Sequence, residues 1–324
     1  MKKLFAFILI LNFMFLFSCT NKIENIEIPI ETEIFTTKNI VRQPEKLYDL
    51  NVVYDESNDL KMDIYYPTNI IYDKSPLIVA FHGGGWIAGD KSQPLYMFAP
   101  IIKELLDNGY TFATVQYRYA SDINPFPAQI RDCTEVLFYL KQYAKKYNID
   151  VDSVGVMGYS AGAQLAMLSA YAWDNFLSEL YAGKFDEPID IKYCISFAGP
   201  TKMYDDDLNK YPRDILYLVE NLFQCKYEDS PGFYKGGSPY YYLTGENVKK
   251  VPLLLAQDPK DDVVPFSQSQ IMYDKAVEVG IDCELLKLNG VYHQIDFNSS
   301  YMTSPSSEEA AKIILDFIYK HSGK

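Results

Sequence analysis

Positive charge is scarce in this chain of 324 residues, because 30 lysines and arginines stand against 43 aspartates and glutamates. The formal net charge is therefore −13. A protein of that sign has little cationic surface for a phosphate backbone, so no nucleic-acid partner is expected. This negative charge is more compatible with a neutral substrate than with a phosphate backbone.

Cysteine is also rare, and its spacing excludes two kinds of site. Beyond Cys19, the chain has Cys133, Cys194, Cys225 and Cys283, which are widely separated. They lack the paired spacing of a zinc site or a redox dithiol, so we expect four buried thiols. Histidine and aspartate form no cluster at ligand spacing either. Neither a metal nor another cofactor is expected.

No apolar run has a comfortable length for a membrane span. After Lys2 and Lys3, the run from Leu4 to Phe17 is broken only by Asn12, which predicts a secretion signal over residues 1–18. The segment ends in Leu16-Phe17-Ser18-Cys19, which resembles the bacterial lipobox. We therefore expect export to the bacterial cell envelope, a lipid on Cys19 that attaches the protein to a membrane, and a polar tether over residues 19–45. The alternative is an ordinary cleaved signal with an incidental cysteine.

The remaining chain, residues 46–324, predicts one α/β domain with a mainly parallel sheet and helices on both faces. Apolar and polar residues alternate at 48–54 and 60–66, which predicts an edge hairpin of two antiparallel strands. Further strands are predicted at 77–81, 112–116, 153–157, 193–197, 252–256 and 283–288. Helices are predicted at 98–107, 127–147, 161–171 and 268–279, with a last one through Ala311 and Ile314. The alternation of strands and helices is lost between about 199 and 250, which predicts an irregular or helical cap.

A serine lies between a predicted strand and a predicted helix, in Gly158-Tyr159-Ser160-Ala161-Gly162. Such a turn projects the hydroxyl above the sheet, and the following helix N-terminus favours negative charge near it. Ser160 is therefore a candidate nucleophile. A glycine-rich turn with a capping serine is the alternative.

Three consecutive glycines follow the strand at 77–81, in His82-Gly83-Gly84-Gly85-Trp86. Backbone amides in such a loop can face a ligand, so we expect those of Gly84 and Gly85, together with that of Ala161, to stabilise an oxyanion. His82 precedes the glycines at a strand end and is expected to hold the loop. Trp86 is expected to form a wall of the acyl pocket or simply to pack.

Only three histidines are available as a general base, namely His82, His293 and His321. His321 lies in a polar tail that we expect to fray, so elimination leaves His293, which follows the strand at 283–288. A carboxylate must orient the imidazole. The segment 257–265 offers three, which are Asp258, Asp261 and Asp262, and they could equally belong to a solvated turn.

These segments together resemble the α/β-hydrolase esterases of the hormone-sensitive-lipase-like and acetyl-xylan/feruloyl-esterase-like groups. The resemblance runs from Tyr48 to the C-terminus, and its further carriers are 60–67, 89–91, 117–119, 126–129 with Asp132, and Ser238-Pro239. It implies a triad in the order Ser160, Asp261, His293, with Asp261 selected because the acid lies three residues before Val264-Pro265. It also implies a structural ion pair or turn contact for Arg118 and Asp132.

Two positions depart from that family pattern. Gln257-Asp258 stands where such enzymes often have His-Gly, and Gln294 follows His293 where glycine is frequent. Since both positions flank the expected triad without replacing it, the sequence predicts a serine esterase that works through an acyl-enzyme on a small-molecule or carbohydrate ester. An amidase or formamidase would use the same residues. A noncatalytic surface protein that binds carbohydrate through some of its 28 tyrosines is the third hypothesis.

Overall fold

The computed structural model describes residues 46–173, 177, 189–245 and 248–324. The predicted signal peptide, tether and lipidated Cys19 lie outside the described residues. Eight strands form one sheet: β1 (Tyr48–Asp55), β2 (Leu60–Tyr65), β3 (Ser75–Phe81), β4 (Thr111–Val115), β5 (Ile149–Tyr159), β6 (Ile191–Phe197), β7 (Leu253–Gln257) and β8 (Cys283–Lys287). Their spatial order is β1-β2-β4-β3-β5-β6-β7-β8.

The sheet is antiparallel at one edge and parallel elsewhere. β1 pairs with β2, and β2 with β4, in antiparallel register. Every pair from β4 through β3 and β5 to β8 is parallel. The predicted edge hairpin and mainly parallel sheet are confirmed, and the carboxyl ends of β3, β5, β6, β7 and β8 therefore share one edge.

Helices alternate with the strands along most of the chain. They are α1 (Gln93–Met97), α2 (Ala99–Asp107), α3 (Ala128–Gln142), α4 (Ala144–Tyr147), α5 (Ala161–Tyr171), α6 (Arg213–Phe223), α7 (Pro231–Gly236), α8 (Ser267–Glu278) and α9 (Ser307–His321). Side chains of α2 and α9 join one buried cluster with Ile78 of β3 and Ile195 of β6. Val79, next to Ile78, is also fully buried. Because neighbouring strand residues point to opposite faces, both faces of the sheet are covered.

One predicted helix is interrupted, and a second is preceded by a short helix that was not predicted. The stretch predicted as one helix over 127–147 divides at Tyr143, whose φ of −102° and ψ of 17° are not helical, and Pro127 occupies the position before the helix. Asn148 then adopts a left-handed conformation and leads into β5. The helix predicted at 98–107 is present as α2, and a short helix that was not predicted, α1, precedes it, with the buried Phe98 between the two.

The expectation that His321 lies in a fraying tail is wrong. It is the last residue of α9, and its side chain is only 11% exposed. The imidazole packs against Phe317, with 4.5 Å between ring centroids, and lies 3.6 Å from the Asp282 carboxylate. These contacts hold the C-terminal turn in place.

The described cysteines are all free thiols. Cys133 and Cys194 are buried as expected, whereas Cys225 and Cys283 are only partly buried. None of the helices in the described ranges is long and apolar enough to cross a membrane.

The segment between β6 and β7 contains α6, α7 and two 3-10 turns, Asp205–Lys210 and Pro239–Leu243. The buried side chains of α6 recur at helical spacing: Ile215, Leu218, Val219 and Leu222. The amide of Phe126, just before α3, donates to the carbonyl of Leu222 at 2.8 Å. A Cβ on Gly85, in the loop that follows β3, would lie 2.8 Å from the Leu218 side chain. This segment therefore packs against the loop after β3 and the residues before α3.

Candidate active site

Ser160 lies at the turn between β5 and α5 and has φ 54° and ψ −120°. Side chains rarely occupy this region, and a residue held there stores strain. The turn is tight, because a Cβ on Gly162 would lie 2.2 Å from the carbonyl oxygen of Phe81, at the end of β3. Only glycine therefore allows α5 to begin this close to β3. The result places the Ser160 hydroxyl at the carboxyl edge of the sheet.

His293 and Asp261 lie beside this serine in a continuous hydrogen-bonded chain. The Nε2 atom of His293 is 3.0 Å from Ser160 Oγ, and its Nδ1 atom is 2.8 Å from Asp261 Oδ2. If Nδ1–H donates to the carboxylate, Nε2 has a free lone pair that can accept the serine proton. The Asp261 side chain is fully buried and that of His293 is 12% exposed. The arrangement can activate a hydroxyl as a nucleophile.

The three candidate carboxylates have different surroundings. Asp261 Oδ1 accepts from the amides of Val263 and Val264 at 2.9 Å each, while its Oδ2 accepts from His293 and, at 3.0 Å, from Gln257 Nε2. Asp262 is exposed. Asp258 is buried and accepts from backbone amides of the loop that precedes His293. Of the three, the structure brings Asp261 to the imidazole.

The predicted oxyanion loop lies beside the same turn. Phe81 pairs with Gly158 at the ends of β3 and β5. The Gly83 amide donates to Gln93 Oε1 at 2.6 Å. Within the described ranges, the amides of Gly84, Gly85 and Ala161 donate to no protein acceptor. They are therefore available to an anion at this edge.

The loop is fixed by contacts on three sides. A Cβ on Gly84, which has φ 122°, would lie 2.0 Å from the Ala88 carbonyl oxygen, so only glycine fits there. Trp86 is 3% exposed, and its Nε1 donates to Gln164 Oε1 at 3.0 Å. The Gln164 amide in turn donates to the Gly237 carbonyl at 2.7 Å. Trp86 is thus a buried anchor between the loop, α5 and the cap segment.

His82 contacts the loop rather than Ser160. Its Nδ1 is 2.7 Å from the Gly83 carbonyl oxygen, and its ring stacks on Tyr117 with centroids 4.2 Å apart. Complete burial lowers the pKa of His82 from 6.5 to about 4, so the ring is neutral at pH 7. These contacts agree with the structural role expected for it.

Sequence reasoning missed several residues that brace the site. The Tyr159 hydroxyl donates to the backbone carbonyl of His293 at 2.5 Å, and Gln93 holds the Gly83 amide. Gln257, which the sequence marked only as a departure from a pattern, donates to Asp261, and Asp258, which was also a candidate acid, binds the loop before His293. In the sequence, the signal for their role was that Gln257-Asp258 replaces the His-Gly of the family pattern.

Three carboxylates in the described ranges lie close enough together to bind a metal ion, but their surroundings argue against that role. Carboxylate oxygens of Asp55, Asp132 and Glu135 lie within 4.8 Å of one another. However, Arg118 already pairs with Asp132, with 2.6 Å between Nη2 and Oδ1, and the Arg118 amide donates to Oδ2 at 2.8 Å. Burial raises the pKa of Asp132 despite this partner. The predicted ion pair of Arg118 and Asp132 is present.

Two solved structures with a similar fold are named as esterases. The structure of a truncated carbohydrate esterase from gut microbiota aligns with a TM-score of 0.68 at 22% identity, covering 87% of this chain and 99% of that one. Esterase B from Lactobacillus rhamnosis aligns with a TM-score of 0.69 at 20% identity, covering 88% and 90%. These likenesses establish the α/β-hydrolase fold.

Comparison of the sequence with known proteins identifies the family. Residues 62–276 match the family model described as BD-FAE, and the chain belongs to that family. An arylesterase from Saccharolobus solfataricus is 33% identical over 269 residues, covering 82% of this chain and 80% of the relative. Esterase LipQ from Mycobacterium tuberculosis is 23% identical over 247 residues, and the match covers 76% of this chain but 56% of LipQ.

Proposed function

We propose that the protein hydrolyses carboxylic esters through an acyl-enzyme on Ser160, with His293 as base and Asp261 as its orienting acid. The single observation that carries this proposal is the hydrogen-bonded chain from Ser160 Oγ through His293 to Asp261. Relatives and structural neighbours named as esterases support it.

The proposed first half of the reaction forms the acyl-enzyme. Ser160 Oγ attacks the ester carbonyl carbon while its proton passes to His293 Nε2, and Asp261 stabilises the resulting imidazolium. The carbonyl oxygen becomes an anion that the amides of Gly84, Gly85 and Ala161 stabilise. Collapse breaks the bond to the alcohol oxygen, which takes the proton from Nε2. In the second half, water attacks the acyl carbon while one of its protons passes to His293 Nε2. Collapse then breaks the bond between the acyl carbon and Ser160 Oγ, Oγ takes the proton from Nε2, and the carboxylic acid leaves.

For the alcohol part of the ester, we propose a carbohydrate. Tyr292, which directly precedes His293 in the same loop, is 54% exposed, and an exposed aromatic ring is a suitable stacking surface for a sugar. The gut-microbiota protein with this fold is named as a carbohydrate esterase. Comparison of acetylated xylo-oligosaccharides with p-nitrophenyl acetate tests this choice. A kcat/KM for the oligosaccharides far below that for the small ester would contradict it.

Hydrolysis of matched p-nitrophenyl esters and anilides tests the proposed reaction. We expect ester turnover, a loss of about 10⁴-fold or more in kcat for Ser160→Ala, and about 10⁴-fold for Asp261→Asn. Asp262→Asn is the matched control, because it removes the same charge from an exposed neighbour, and its kcat should stay close to that of the unsubstituted protein. Faster anilide than ester turnover, or equal losses at both aspartates, would contradict the proposal.

We also propose that the protein is exported and attached to a membrane through Cys19, as the N-terminal sequence suggests. Metabolic labelling with a fatty acid tests this. The full chain should take up label and the Cys19→Ala variant should not. Label that survives this substitution would contradict the anchor.

A further inference from the structure

The loops that carry Asp261 and His293 follow neighbouring strands but lie beyond the sheet. β7 and β8 pair up to Gln257 and Lys287, and the Leu288 amide donates to the Gln257 carbonyl at 2.9 Å. Past this point, strand pairing no longer fixes the distance between the two loops. Other contacts must hold the imidazole beside the serine.

Asp258 supplies such contacts, because its carboxylate binds both loops. Oδ2 accepts from the amides of Val291 and Tyr292 at 2.9 and 2.8 Å, and Oδ1 accepts from the Lys260 amide at 2.8 Å. The residue is 1% exposed. A single buried side chain therefore ties the acid loop to the residues just before His293.

The base loop has a conformation that needs this support. Tyr292 has φ 51°, a left-handed conformation that is uncommon for a residue with a side chain. Its amide is bound by Asp258, and one residue later the His293 carbonyl accepts from the Tyr159 hydroxyl at 2.5 Å. The backbone is thus held immediately before and immediately after the His293 side chain. Both hydrogen bonds act on the backbone, and the Tyr159 ring also lies beside the imidazole, with 5.3 Å between ring centroids.

We infer that Asp258 is a positioning residue that holds the loop of His293, so that Nε2 stays within hydrogen-bonding distance of Ser160 Oγ. This inference rests on the proposed esterase function for its effect on turnover. Without the carboxylate, the amides of Val291 and Tyr292 lose a buried acceptor, and the left-handed turn loses its restraint. A displacement of about 1 Å in a catalytic group can cost on the order of 100-fold in rate.

Two substitutions at Asp258 separate positioning from charge. Asp258→Asn keeps one carbonyl oxygen that can accept from both loop amides, whereas Asp258→Ala removes every acceptor. Asp262→Ala is the matched control, because Asp262 is exposed in the same loop. Near-UV circular dichroism of each full-length variant identifies folded protein, and kinetics are measured on that fraction.

We expect kcat to fall about 100-fold in Asp258→Ala, with KM changed by less than about threefold, and to fall only about tenfold or less in Asp258→Asn. The control should stay within about twofold. The labelling rate of Ser160 by a fluorophosphonate should fall in parallel with kcat, because it depends on the same base. Equal losses in the Asn and Ala variants would contradict the inference, since they would trace to the charge.

Proton NMR tests the inference without any substrate. The Nδ1 proton of His293, shared with Asp261 at 2.8 Å, should give a downfield resonance at pH 7. This resonance should broaden or vanish in Asp258→Ala and persist in Asp262→Ala. If the unsubstituted protein hydrolyses no ester but shows this pattern, the proposed function fails and the inference stands. An unchanged resonance in folded Asp258→Ala, with or without a fall in kcat, would overturn the inference.

Discussion

The strained turn at Ser160 makes a prediction that needs no substrate. At φ 54° and ψ −120°, any residue with a Cβ is strained by about 1–3 kcal/mol. The substitution Ser160→Ala removes the hydroxyl but keeps the Cβ and therefore the strain. The substitution Ser160→Gly removes both. The difference in the free energy of unfolding between these two variants isolates the strain.

Two effects oppose the relief of strain in Ser160→Gly. Glycine has more freedom in the unfolded chain, which costs about 0.4–1 kcal/mol, and a buried Cβ is lost, which costs about 0.8 kcal/mol. Ser160 is 8% exposed, so the second cost applies in full. With strain near the middle of its range, we expect Ser160→Gly to be more stable than Ser160→Ala by about 0.5 kcal/mol.

The matched control is Ala166→Gly, in the same helix that follows Ser160. Ala166 is fully buried and has no strain to relieve, so helix propensity and the lost Cβ together should cost about 2 kcal/mol. Urea unfolding of the three variants and the unsubstituted protein provides the comparison. A loss of about 2 kcal/mol from Ser160→Ala to Ser160→Gly, equal to that in the control, would refute strain at this turn.

Three further predictions concern the surroundings of the site. Because burial lowers the pKa of His82 from 6.5 to about 4, the unfolded chain takes up this proton first, and about 3 kcal/mol of unfolding free energy should be lost as the pH falls from 6.5 to 4. The free energy of unfolding of His82→Phe, measured with urea, should lack this pH dependence. Arg118→Met leaves Asp132 buried without its partner, and chemical denaturation should show a loss of about 3–5 kcal/mol, largely recovered in the double variant with Asp132→Leu. Gln257→Leu removes one donor to Asp261, and steady-state kinetics should show a fall of about tenfold in kcat in a folded protein.

The strands and the nucleophile turn could be predicted because their signals are local. β-branched and apolar residues before Gly158 and helix-favouring residues after Gly162 mark a strand-to-helix turn. The apolar spacing of Ile215, Leu218, Val219 and Leu222 would also have predicted α6 within the cap segment.

The role of Asp258 could not be predicted, because it depends on two loops that meet only in the folded chain. Asp258 and Val291 are 33 positions apart, and an aspartate beside proline has an equally good local interpretation as a solvated turn. The position of His321 beside the Asp282 carboxylate likewise depends on a contact between residues that are distant in the chain. Such contacts override local propensity.

The most direct test of the proposed nucleophile is the site of covalent labelling by a fluorophosphonate, followed by mass spectrometry of the digested protein. The chain should take up one label, on the peptide that contains Ser160, and lose ester hydrolysis in proportion. Ser160→Ala should take up none. Label on another residue, or hydrolysis that continues in Ser160→Ala, would contradict the claim that this serine is the nucleophile.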